Sequence, residues 1–353
     1  MQDRTRVALL PVCLSALATI VVSAPAAAWD YPGHRIVGAI ADLILQRHYP
    51  ATQKRVSDLL DVQVPGGTWQ KRSLREVAVF PDCAKRNSEP YCGRPSSEEE
   101  KAYVERNPHH DSYHYTDVPL QRPTYVPKTA GTGDTDVVQM ISFAVTQLRA
   151  KTQRSKKDVK LTDTEAVWLL AHLVGDIHQP LHVGAKYFKD DCETSVDPNE
   201  AGTPPRFGIG ETIAQTVGGN LIYLDGPAPA VPLADNLHLF WDGATVVRAM
   251  QAAGVAQSEQ DFAKLVAATV PAGWETAGAP ETWAAQWATE ILPLAVEAHN
   301  RLTIRKRPFS FPSCTWTTTL DPTYQGWATE QARIQVAKAG FRLAALLKAT
   351  FDP

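Results

Sequence analysis

Ala171-His172-Leu173-Val174-Gly175-Asp176-Ile177-His178-Gln179-Pro180-Leu181-His182 is the stretch on which the reading of this chain turns. It follows Ala166-Val167-Trp168-Leu169-Leu170, an apolar run whose periodicity suits a buried helix. On such a helix His172 and Asp176, four residues apart, project from one face as a metal-ligand pair. Pro180 cannot continue the helix and drives Gln179 out of helical geometry, so His182 sits just past the end and turns back toward that face. His178 points off the face and reads as a structural histidine.

A lone histidine on an apolar helix is more often a hydrogen-bonded core residue than a ligand. A second pair changes the weighing. Asn236-Leu237-His238-Leu239-Phe240-Trp241-Asp242 again sets a His and an Asp four apart on a helical pattern. Two such pairs among ten histidines argue for a multinuclear site of nitrogen and oxygen ligands, which suits zinc.

Upstream, residues 1–28 read as a secretory signal peptide. Arg4 and Arg6 form a short basic region, residues 7–24 are nearly all apolar or small, and Ala26-Ala27-Ala28 supplies the cleavage signal. Cleavage leaves 325 of the 353 residues, 29–353, and exposes Trp29 as the new N-terminus. Losing Arg4, Arg6 and Asp3 takes the formal charge from −3 to −4, so there is no basic nucleic-acid footprint. A polyanionic substrate must then be attracted by bound cations. No later run is long and apolar enough to span a membrane, so the mature chain carries no membrane anchor and is expected to be secreted or periplasmic.

Cys13 leaves with the signal peptide, and Cys83, Cys92, Cys192 and Cys314 remain for two disulfides in an oxidising compartment. Of three connectivities, Cys83–Cys92 with Cys192–Cys314 is favoured because the first closes a short loop rich in turn residues. Thiolate zinc ligation lacks any Cys-x-x-Cys pair.

The rest of the chain is mostly helical in pattern. Gly33 to His48, a helix opened by Ser96-Ser97 and Glu98 to Glu100, Asp136 to Leu148, Thr162 to Ile177, Asn236 to Gln251, Ser258 to Ala268, Glu281 to Asn300 and Tyr324 to Thr350 all carry apolar residues at helical spacing or cap signals. Strand signal is sparse. A hairpin is expected around Thr212 to Leu224, turning at Gly218-Gly219-Asn220. Residues 186–210 and 301–323 read as long surface loops that Cys192 and Cys314 can pin together. One all-α domain, residues 29–353, with a short β-hairpin and long loops is the expectation, and a monomer with it.

Three further segments carry chemistry: Trp29-Asp30-Tyr31-Pro32-Gly33-His34, Phe80-Pro81-Asp82 and His114-Tyr115-Thr116-Asp117. Singly, each reads as packing, turn or surface. In order with the two His-x-x-x-Asp motifs, they make the chain resemble the S1/P1 zinc-dependent nuclease family, from Trp29 to Ala339-Gly340-Phe341-Arg342-Leu343-Ala344. The fold is shared with bacterial zinc phospholipases C.

The resemblance implies three zinc ions. One takes Asp82, His114, His172 and Asp176; a second takes His182, His238 and Asp242; a third takes the amine and carbonyl of Trp29 with His34 and a shared Asp176. His109 and His110 are set aside because only His114 opens His-Tyr-x-Asp. The resemblance further implies a nuclease that cleaves single-stranded RNA and DNA to 5′-mononucleotides, with 3′-nucleotidase activity. Asp82 is the residue expected to orient the attacking water. Asp117 is the candidate for substrate contact, whereas the fungal Asn after the last zinc Asp is here Gly243.

Two alternatives compete with this reading. A phospholipase C tends to place the first His further from Trp29 and to end its ligand set with Glu, whereas this chain has His34 and Asp242. A zinc-sequestering protein does not call for ligands gathered from several segments around one open cluster.

Overall fold

The computed structural model describes residues 29–63, 69–85, 97–150, 155–156, 158–200, 213–226, 235–268, 272–308 and 314–352. The expected signal peptide lies outside the described residues. So does Cys92, and with it the expected Cys83–Cys92 bridge.

The architecture is mainly helical, as the patterns predict. The first helix, Tyr31–His48, starts at an Asp30 N-cap whose side chain accepts from Tyr31 N. It packs lengthwise on the last helix, Pro322–Phe351. Gly340 makes that contact close, since a Cβ there would stand 2.5 Å from Ile40 Cβ. Val336, Ala339, Leu343, Leu346 and Leu347 are buried against it. Each leucine contributes about 1.5–3 kcal/mol of burial.

Between these lies Asp163–Asp176, which is buried all round after its first turn. It opens with a capping box, in which Thr162 Oγ1 accepts from Glu165 N and Glu165 Oε2 accepts from Thr162 N. Helix Val137–Arg149, capped by Asp136, flanks it. Helix Pro50–Leu60, which follows the first helix after a single residue, lies outside the helical patterns of the sequence. Pro50 reads as a stop, but at the first helical position it also starts the next helix.

Two main apolar cores result, with a minor cluster of Ala185, Tyr187 and Ile213 beside them. The larger gathers the helices above together with Trp283–Asn300 and Glu259–Ala267. The smaller holds Leu181, Phe188, Ile222, Leu237, Phe240, Trp241, Trp316 and Tyr324, with the Cys192–Cys314 disulfide at its edge.

Around the smaller core the expected hairpin does not form. Ile213–Gln215 pairs antiparallel with Tyr187–Lys189, while Ile222–Leu224 pairs parallel with Trp316–Thr318, which in turn pairs with Arg305–Lys306. The glycine turn is present, but it passes over Leu181 and His238 and sends its two arms to different partners. Segments read as loops, 186–210 and 301–323, supply those partner strands and are joined by the disulfide as expected. No helix among the described residues is long and apolar enough to cross a membrane.

Candidate metal centre

The ligand-bearing segments meet at the junction of the two cores. The helix Asp163–Asp176 places His172 and Asp176 on one face, both fully buried. Gln179 adopts φ −89° and ψ 117° ahead of Pro180, and the short 3-10 turn Pro180–His182 brings His182 back beneath them. Val118–Pro119 pairs parallel with Gly184–Ala185, and Thr116 N donates to His182 O at 2.8 Å. That pairing sets His114 beside His182.

Three groups of His and Asp side chains follow: His34 with His172 and Asp176; Asp82 with His114 and His172; and His182 with His238 and Asp242. The two oxygens of Asp176 face different ways. Oδ2 lies 3.1 Å from both His172 Nε2 and His114 Nδ1, and Oδ1 lies 3.3 Å from His34 Nε2. Asp82 Oδ1 stands 3.6 Å from His172 Nε2 and 3.7 Å from His114 Nδ1. At the far end, Asp242 reaches His182 Nε2 at 3.4 Å and His238 Nε2 at 3.2 Å.

These spacings suit an ion. Ligand atoms at tetrahedral zinc, about 2.0–2.2 Å from the metal, lie about 3.4 Å from one another. Hydrogen bonding among the described residues does not account for the atoms: Asp82 Oδ2, Asp176 Oδ1, Asp242 Oδ2 and His182 Nε2 are buried without such a bond. Burying polar atoms unpaired costs free energy that a cation offsets. The opposite edges of three rings are anchored to backbone: His172 Nδ1 to Ala78 O at 2.6 Å, His182 Nδ1 to His114 O at 2.9 Å and His238 Nδ1 to Gly218 O at 2.8 Å. Each leaves Nε2 aimed at the cluster.

Trp29 is fully buried beside the same helix, its indole N–H donating to Gly175 O at 2.7 Å. Gly175 also makes room for His34: a Cβ there would stand 2.9 Å from His34 Nδ1. The His34 ring stacks on that of His172 at 3.7 Å. His178 faces away, with Nδ1 on Val174 O and Nε2 3.2 Å from Arg342 Nη1.

The electrostatics are those of a cation site. Burial raises the Asp82 carboxyl, but Lys85, His172 and His114 outweigh it and hold the group below the usual carboxylate range. Asp176 is likewise held well below that range, burial being overcome by His172 and His182. Burial lowers His114 to about 3, whereas His182, despite burial, rises to about 9 beside Asp176 and Asp242.

Two neighbours escaped the reading of the sequence. Lys85, three residues after Asp82, places Nζ 2.6 Å from Asp82 Oδ1. Its position after a carboxylate is the only signal it carries. Asp30 is partly buried, and its carboxyl is raised to about 6 by burial, with Asp242 and Asp82 adding to the shift. Its Oδ2 borders Gly243, 3.5 Å from where a Cβ would stand. Asp117 is buried, with its carboxyl raised to about 7 by burial in spite of His182. Tyr115, which follows His114 in the chain, is 39% exposed.

The family model for S1/P1 nuclease matches residues 29–352. No curated protein matches the chain.

Proposed function

This chain belongs to the S1/P1 nuclease family, and from that premise we propose that it is a secreted, zinc-dependent phosphodiesterase. It cleaves single-stranded RNA and DNA to 5′-mononucleotides and removes 3′-phosphates from nucleotides. The observation that carries the reading is Asp176, whose two oxygens serve two His groups at once. The residues proposed to hold three zinc ions are those of the sequence reading: Asp82, His114, His172 and Asp176; His182, His238 and Asp242; and Trp29, through its freed amine and its carbonyl, with His34 and Asp176.

Zinc in these groups supplies Lewis acidity toward phosphate and makes water acidic enough to yield a nucleophile near neutral pH. Asp82, held ionised, orients that water as it approaches phosphorus. Lys85 sets a positive charge beside it, 2.6 Å from Asp82, where a phosphate oxygen gathers charge. His182, His238 and Asp242 are assigned to the leaving side, where an ion they would hold would take up the charge of the departing 3′ oxygen and the phosphate would stay on the 5′ end. Tyr115 offers an exposed ring for an unstacked base, with Asp117 behind it for polar contact, and a single strand alone presents such a base freely.

The test is metal analysis of the mature chain with digestion of single-stranded DNA, RNA and phosphatidylcholine side by side. We expect N-terminal sequencing to begin at Trp29, three zinc ions per chain, chelator-sensitive digestion of both nucleic acids, and 5′-phosphate products. Products ending in 3′-phosphate overturn the assigned direction of attack. Hydrolysis of phosphatidylcholine with no action on nucleic acid overturns the substrate class.

A further inference from the structure

Gln179 sits between two members of one ligand group and is itself no ligand. It is completely buried. Nε2 donates to Asp242 Oδ1 at 2.7 Å, and Oε1 accepts from Leu181 N at 2.5 Å. The amide is therefore oriented at both ends, its NH2 toward a carboxylate and its oxygen toward a backbone N–H. One end acts on the turn that carries His182. The other acts on Asp242, 63 residues away, in the π-helical turn Phe240–Ala244. Such a turn shifts the register of a helix locally, and here it brings the Asp242 carboxylate within reach of Gln179. Oδ1, though 3.4 Å from His182 Nε2, is engaged by Gln179, whereas Oδ2 stands 3.2 Å from His238 Nε2 and makes no hydrogen bond among the described residues.

We propose that Gln179 is a positioning residue for the His182–His238–Asp242 group, presenting Asp242 to a metal ion through Oδ2 alone. By tying that carboxylate to the turn that bears His182, it also fixes the spacing of the two ligands. A carboxylate held to one oxygen leaves a coordination position free for substrate, which a catalytic zinc site requires. The inference deepens the reading of the cluster as a zinc centre and rests on it. Partners that orient ligating side chains are worth about 10–100-fold in metal affinity.

The mature chain, stripped with a chelator and titrated with zinc, separates the two. Gln179→Met keeps the volume and removes both bonds. We expect one zinc equivalent to bind about 10–100-fold more weakly, the others to bind as in the parent, and the metal-free melting temperature to stay within a few degrees. Placed on an Asp242→Asn background, the same change should weaken zinc no further, because the amide acts through that carboxylate. Gln179→Asn, a methylene too short to reach both partners, repeats the measurement should the Met variant fail to fold. Parent-like zinc affinity in Gln179→Met overturns the proposal, as does an additive loss on the Asp242→Asn background. A parent chain that binds no zinc overturns the functional reading itself and is seen before any variant is compared.

Discussion

The two ends of the cluster are held by different kinds of structure. His34, Asp82, His172 and Asp176 stand on helices of the larger core, where the first helix and the helix Asp163–Asp176 touch through Trp29 and Gly175. His182, His238 and Asp242 stand against the smaller core on less regular backbone: a 3-10 turn after Gln179, and a short α-helical turn, Leu237–Leu239, that passes into the π-helical turn Phe240–Ala244, with His238 anchored to the carbonyl of Gly218. Regular helices fix side chains through packing along their whole length. Irregular turns fix them through single hydrogen bonds and the disulfide nearby. Damage at the helical end should therefore spread through the cluster, while damage at the other end should remove one ion's worth of structure.

The sharpest way to break this comparison is at Asp176. Asp176→Asn withdraws charge from two groups at once, so zinc content should fall by more than one ion per chain and activity by on the order of a thousandfold. His34→Ala touches one group and should lose about one ion. Equal losses, read by metal analysis, would deny the sharing.

At the smaller core, replacing Cys192 and Cys314 together by Ser opens a closure of 122 residues. About 2–5 kcal/mol of stability should go with it, measured by denaturant unfolding. Zinc should leave the His182–His238–Asp242 group first. A uniform loss from all groups would mean that the two ends are not separately held.

The smallest effect belongs to pH. His299, buried at the end of helix Trp283–Asn300 beside the smaller core, is lowered to about 4 by burial, partly opposed by its bond to Ala295 O. Its folded pKa lies below its ordinary value of 6.5, so the stability it contributes is whole above pH 6.5 and lost as pH falls toward 4. The loss is at most about 3 kcal/mol. In chelator-stripped protein, His299→Phe should flatten the fall of the melting temperature across that window; parallel curves for variant and parent would remove His299 from the account. His178, its counterpart near the larger core, is held neutral by burial and by Arg342.

Much of this was legible because the informative spacings are local. His172 with Asp176, and His238 with Asp242, need only one helical turn each, and Pro180 alone is enough to bend His182 back. The hairpin pattern misleads for the complementary reason. A Gly-Gly-Asn turn looks the same whether its arms pair with each other or, as here, with Tyr187–Lys189 and Trp316–Thr318. Lys85 resembled any surface lysine until Asp82 was seen beside it.

By itself the sequence determined the helical class, the family and the residue types brought to the centre, since periodicity, caps and short motifs act within a few residues of chain. Only the tertiary structure decided that Asp176 divides its oxygens between His34 and the His114–His172 pair, that Gly175 makes room for His34, and that Gln179 reaches Asp242. Those contacts join segments tens of residues apart, and contact between distant segments is set by how the two cores pack, which has no period along the chain.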